Sequence, residues 1–194
     1  MITNSTTYYD TPDAAVAVNY KAGSATLAYE IIKNHYKDLY VMIHTPPGTG
    51  NGVAYPAGRG PETSRWHGLC PKADDPRQKD KVLLLVRDPI ERFMSACSER
   101  TVRDVDGILS SLEDGTNVGL HFLPQSRLLV EGKTKLFRFP DQFDDLAAEA
   151  GLAPPFVRIK SPRDKADYPL SPAQKKRLKS IYAEDFLIFK SMKL

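Results

Sequence analysis

The segment Lys81–Ala96, KVLLLVRDPIERFMSA, constrains the fold more than any other part of the chain. Val82, Leu83, Leu84, Leu85 and Val86 form an unbroken apolar run. A run that short and that rich in branched residues reads as a strand buried on both faces, the situation in a parallel sheet covered by helices. Asp88 and Pro89 stop it, and Pro89 suits the first turn of a helix, where a missing N–H costs nothing. Ile90, Phe93, Met94 and Cys97 then recur at helical spacing. Arg87 is therefore expected at the carboxyl end of a buried strand, with Arg92 and Ser95 three residues apart on the next helix. Ligands of open α/β sheets bind at that edge. Two arginines and a hydroxyl there suit a phosphate, because a guanidinium offers a rigid fork of donors. The same residues would also serve as a helix start with surface arginines.

The rest of the chain supplies the elements such a strand needs. With 194 residues it is expected to form one domain with a sizeable core, spanning about 14–190. Ala14–Asn19 reads as a short buried strand, and Ala25–His35 as a helix with Leu27, Ile31 and Tyr29 inward. Between them Lys21, Ala22, Gly23 and Ser24 make a tight turn. Gly23 lets a ligand approach the backbone, and the amides at the helix start, the hydroxyls of Ser24 and Thr26, and Lys21 together favour an anion. A capped helix after a turn is the plainer reading of those four residues. Asp38–Ile43, DLYVMI, is expected to be a second strand. Thr134–Phe139 reads as the last sheet strand, Val102–Leu112 and Asp141–Gly151 as helices, and Ser171 caps a final helix from about Pro172 to Phe189. The expected class is α/β, a central, mostly parallel sheet flanked by helices.

Several functions are disfavoured. After DLYVMI comes HTPPGTGNG, which looks like an ATPase phosphate loop, but Asn51 stands where its lysine belongs and Gly52 where its Ser/Thr belongs. Thr45–Ser64 is therefore expected to be a long loop. The net charge of +3 comes without a basic run of the length a nucleic-acid arm needs. The two cysteines, Cys70 and Cys97, form no CxxC pair, so neither a disulfide framework nor a zinc site is expected. No stretch approaches a membrane span, and MITNSTTYYDTPD lacks the basic and apolar regions of a secretory signal, so a cytoplasmic location is expected.

Taken together, these pieces resemble the sulfotransferases, in particular their carbohydrate-type and bacterial branch. Lys21-Ala22-Gly23-Ser24-Ala25-Thr26 looks like the family's loop for the 5′-phosphosulfate. Arg87-Asp88-Pro89-Ile90-Glu91-Arg92-Phe93-Met94-Ser95 looks like its 3′-phosphate motif, with Arg87 and Ser95 eight residues apart. HFLPQS at His121–Ser126, KLFRFPDQFDDLAAEAGL, and the ending IYAEDFLIF at Ile181–Phe189 are similar to further family segments. Ala25 departs from the hydroxyl residue usual at its place, so one phosphate contact there falls to the backbone.

The resemblance implies a P-loop-kinase-like sulfotransferase fold. The implied donor is 3′-phosphoadenosine 5′-phosphosulfate (PAPS), and the acceptor a hydroxyl or amine of a glycan or small molecule. No metal, nucleic acid or membrane partner is implied. Lys21 would stabilise charge on the leaving phosphate, Ser24, Thr26 and the loop amides would cradle it, and Arg87 and Ser95 would clamp the 3′-phosphate. Arg92 would either help there or form a surface ion pair. A hydroxyl acceptor needs a general base, for which histidine has a suitable pKa. His67, 20 residues before Arg87, is the first choice. His44 and His121 are alternatives or acceptor-site residues, His35 is expected to be packing, and Glu30 and Glu62 are the carboxylate candidates. Arg158, Lys160, Arg163 and Lys165 either hold an anionic sugar or lie in a solvated loop. Two other functions remain open at this point: a P-loop-like nucleotide phosphotransferase, and a non-catalytic nucleotide-binding module.

Overall fold

The computed structural model describes residues 8–44, 69–100, 102–116, 119–156 and 169–192. The architecture is α/β, built on one open sheet with strand order β1-β2-β3-β4. β2 (Ala14–Ala17), β3 (Lys81–Val86) and β4 (Thr134–Arg138) run parallel, and β1 (Tyr8–Asp10) pairs antiparallel with β2 at the edge. The central position of β3 follows from its sequence. Leu83 and Leu85 face a cluster with Leu27, Ile31, Phe143 and Leu146, while Val82, Leu84 and Val86 face another with Leu128 and Phe189. An alternating strand would have left one of those faces polar.

The helices lie on both faces. α1 (Ser24–His35) follows β2, with Leu27, Ala28, Ile31 and Ile32 buried, and α5 (Phe143–Glu149) follows β4 on the same face. α3 (Pro89–Arg100) and α4 (Val105–Glu113) lie between β3 and β4 in the chain; Asp104 caps α4 by accepting from the Gly107 amide. A third cluster joins Phe93 and Cys97 of α3, Leu109 of α4, Phe122, and Leu178 and Tyr182 near the C-terminus.

Two expectations meet a different structure, and one strand was not expected. DLYVMI is not a strand; it lies in a helix, α2 (Lys37–His44). A six-residue apolar run does not by itself distinguish the two. Here Tyr36 alone joins α1 to α2, the Tyr40 amide bonds back to the Tyr36 carbonyl, and Tyr40 packs edge-on against Tyr29. The chain folds back on α1 before it can reach the sheet. The long C-terminal helix is two, α6 (Pro172–Ile181) and α7 (Ala183–Ser191). It breaks at Tyr182, whose ring is buried and whose hydroxyl donates to the Phe122 carbonyl. The start matches the expectation: Ser171 and Gln174 form a capping box, with Pro172 at the first helical position. β1 has no counterpart in the expectations, because three residues, YYD, are too short to show a period.

Candidate functional site

β2 and β3 end side by side, and the segments that follow them make the site. After β2, Val18 and Asn19 stay buried, and the chain turns sharply through Lys21 and Gly23. Both adopt left-handed backbone, with φ 69° at Lys21 and φ 78° at Gly23. Glycine does so freely, whereas a lysine there is held at a cost of roughly 1–2 kcal/mol. Gly23 is also packed: a β-carbon on it would sit 3.2 Å from the Phe139 ring and 3.3 Å from the Phe143 ring. Gly23 has no side chain with which to cap α1, and the first turn carries no acidic residue. The first-turn amides lack intrahelical acceptors, as in any helix, and the helix dipole favours an anion at this end. Ser24 and Thr26 are buried, and Lys21 is half-buried.

Arg87 lies one residue past β3. Its guanidinium donates from Nη1 to the Lys21 carbonyl at 3.0 Å, and its plane stands 5.5 Å from the Phe139 ring centre. Nε and Nη2 reach Glu91 Oε2 only at 3.4 Å, and because Glu91 is exposed the pair is worth little. The turn after β2 and the arginine after β3 are thus in direct contact across the sheet edge. Ser95 is half-buried, farther along α3.

Arg92 is not a surface residue. Its side chain is 1% exposed, and it donates from Nη1 to the His121 carbonyl and from Nη2 to the Leu123 carbonyl at 2.7 Å. Asp185, equally buried, stands 3.9 Å away, and Tyr182 lies under the guanidinium. Burial pulls the Arg92 pKa down, and Tyr182 and Asp185 push it back. Among the described residues Arg92 Nε has no hydrogen-bond partner. This guanidinium is committed to holding the 121–123 turn, which corrects the surface ion-pair reading of a motif arginine.

That turn carries His121 to the site. Its ring lies against Tyr20, with centroids 4.7 Å apart, beside the β2–α1 turn. His35 stands at the other end of α1, its Nε2 2.9 Å from the Ala150 carbonyl, as a packing residue. Glu30 is wholly buried on α1 and pairs with Lys33 at 3.2 Å. His44 closes α2 rather than a strand, so it does not stand at the sheet's ligand edge by strand geometry. His67, Glu62, the Thr45–Ser64 loop and the basic segment with Arg158, Lys160, Arg163 and Lys165 lie outside the described residues.

The residues that hold the site together were not singled out in the sequence. Asn19 Nδ2 donates to the Leu85 carbonyl and to Gln125 Oε1, both at 2.7 Å. Gln125 in turn bonds both backbone groups of Arg87. Asp185 accepts the amides of Gln125 and Ser126, each at 2.8 Å. The available signal was a polar residue in an apolar setting at Asn19, directly after AAVAV; Asp185 follows Glu184 and carries no such signal.

Among the described residues no helix is long and apolar enough to cross a membrane. No family model, no curated protein and no solved structure matches this chain.

Proposed function

We propose that the protein is a PAPS-dependent sulfotransferase with a P-loop-kinase-like sulfotransferase fold. Its acceptor would be a hydroxyl or amine of a glycan or small molecule. The observation that carries this reading is the hydrogen bond from Arg87 to the Lys21 carbonyl. It makes one edge site out of two motifs that lie 66 residues apart in the chain. Lys21 and the start of α1 supply positive character for a 5′-phosphosulfate, and Arg87 supplies a guanidinium for a second phosphate.

In the proposed reaction the acceptor oxygen bonds to sulfur as the bond from sulfur to the bridging phosphate oxygen breaks. The electron pair stays on the departing phosphate, and the acceptor proton passes to a base. Lys21, Ser24, Thr26 and the amides of the turn would stabilise the charge growing on that phosphate, the kind of fixed electrostatic support that lowers such barriers most. Arg87 with Ser95 would recognise the 3′-phosphate. His67 is the proposed base on the strength of the resemblance. His121 is the histidine that stands beside the turn among the described residues, through its contact with Tyr20.

The test is calorimetric titration with 3′-phosphoadenosine 5′-phosphate and with adenosine 5′-phosphate, on wild type and Arg87→Ala. Wild type should prefer the bisphosphate. A charge-assisted hydrogen bond contributes about 1.5–3 kcal/mol, so Arg87→Ala should weaken the bisphosphate about 10- to 100-fold and the monophosphate by about 3-fold or less. Equal binding of both nucleotides to wild type would overturn the reading.

A further inference from the structure

We infer that Gln125 is the positioning residue of the anion site, fixing the backbone of Arg87 so that its guanidinium lies across the β2–α1 turn. This inference rests on the function proposed above. β3 ends at Val86, whose carbonyl still accepts the Phe139 amide, and one residue later the ladder stops. The Gln125 carboxamide takes over at that point. Its Oε1 accepts the Arg87 amide at 2.9 Å and its Nε2 donates to the Arg87 carbonyl at 2.9 Å. A side chain thus makes the paired bonds that an adjacent strand would make.

The carboxamide is itself immobilised. Oε1 also accepts Asn19 Nδ2, whose other proton goes to the Leu85 carbonyl. The Gln125 backbone is held by Asp185. Asn19, Gln125 and Asp185 are all buried, at 3%, 1% and 0% exposure. Replacing a buried polar network by apolar packing of the same volume often costs no stability, but its directional bonds fix the relative positions of the groups they join. The geometry it specifies joins the ends of β2 and β3, the two strands whose following residues form the site. In this role Gln125 acts through the backbone of Arg87 and not by contact with a ligand.

Two substitutions separate positioning from simple support. Gln125→Glu keeps an acceptor for the Arg87 and Asn19 protons but sets a carboxylate oxygen against the Arg87 carbonyl. Gln125→Met keeps nearly the same volume and makes neither bond. Each is titrated with 3′-phosphoadenosine 5′-phosphate and adenosine 5′-phosphate, alone and combined with Arg87→Ala, alongside urea unfolding. The expected result is a loss of about 10-fold or more in preference for the bisphosphate, with monophosphate affinity within about 3-fold and no further loss when Arg87 is already alanine. Folded Gln125 variants that keep the wild-type preference, or weaken both nucleotides equally, overturn the role of Gln125 and leave the donor site standing. A wild type without preference for the bisphosphate overturns the donor site and this role with it. If Gln125→Glu does not fold, Gln125→Met carries the same comparison, and Asn19→Ala, which removes the support of Oε1 together with the bond to the Leu85 carbonyl but leaves both Gln125 bonds to Arg87, should show a smaller loss in the same direction.

Discussion

Asp185→Ala should be among the most destabilising single substitutions in this chain. The wild-type carboxylate is wholly buried, accepts the amides of Gln125 and Ser126 at 2.8 Å each, and is the carboxylate that faces the buried Arg92 at 3.9 Å. Removing it strands two amides, at about 1–3 kcal/mol for a buried unsatisfied donor. It also leaves the guanidinium without its countercharge, and breaking one partner of a buried pair costs about 3–5 kcal/mol. These costs overlap, because the same oxygens serve both purposes, so the expected loss is about 3–5 kcal/mol. For a chain of this size that corresponds to a fall in melting temperature of roughly 6–20 °C. Urea unfolding is the assay, with an unchanged slope showing that stability rather than compactness has moved. Arg92→Met in the Asp185→Ala background completes a double-mutant cycle. Once the charge is gone its counterpart is no longer stranded, so the double variant should be more stable than the sum of the single losses by at least about 1 kcal/mol. Strict additivity, or an Asp185→Ala protein within about 1 kcal/mol of wild type, would refute the coupling.

Two smaller predictions follow from other positions. Gly23→Ala meets φ 78° and ring carbons at 3.2 and 3.3 Å, so it should cost about 1–3 kcal/mol in urea unfolding and weaken nucleotide binding; a variant as stable as wild type would mean that the turn relaxes freely. Hydrogen bonds from Lys135 and Lys81 hold the Glu149 carboxyl down at about 2, against an ordinary value of 4.5. A pKa lower in the folded state contributes stability above 4.5 that is lost as the pH falls toward 2. Glu149→Gln should therefore flatten the fall of stability with pH across that window, and an unchanged slope in urea unfolding at several pH values would remove Glu149 from acid denaturation.

Where local pattern and tertiary demand agree, the fold was legible. VLLLV could only be a doubly buried strand once helices were expected on both sides, and S-P-x-Q at 171–174 carries its own cap. The motif residues Lys21, Gly23 and Arg87 could be placed at a sheet edge from strand and turn signals alone. DLYVMI could not be settled, because its apolar run is compatible with either structure and α1 decides by packing against it. Nor could the break at Tyr182, since helical spacing continues through it while the hydroxyl is drawn to a carbonyl 60 residues away.

By itself the sequence determined the α/β class and that Lys21, Gly23 and Arg87 follow strands at the carboxyl edge of the sheet, though not that His44 does not, because strand burial, glycine turns and helix starts are set by neighbours in the chain. Only the tertiary structure decided what those residues do to one another. Arg92, three residues before Ser95 in the motif, proves to be a buried brace, and Gln125, Asn19 and Asp185 become its companions in holding the edge. A side chain's partners at a separation of 60 or 106 residues are chosen by how the layers pack, and no local pattern encodes them.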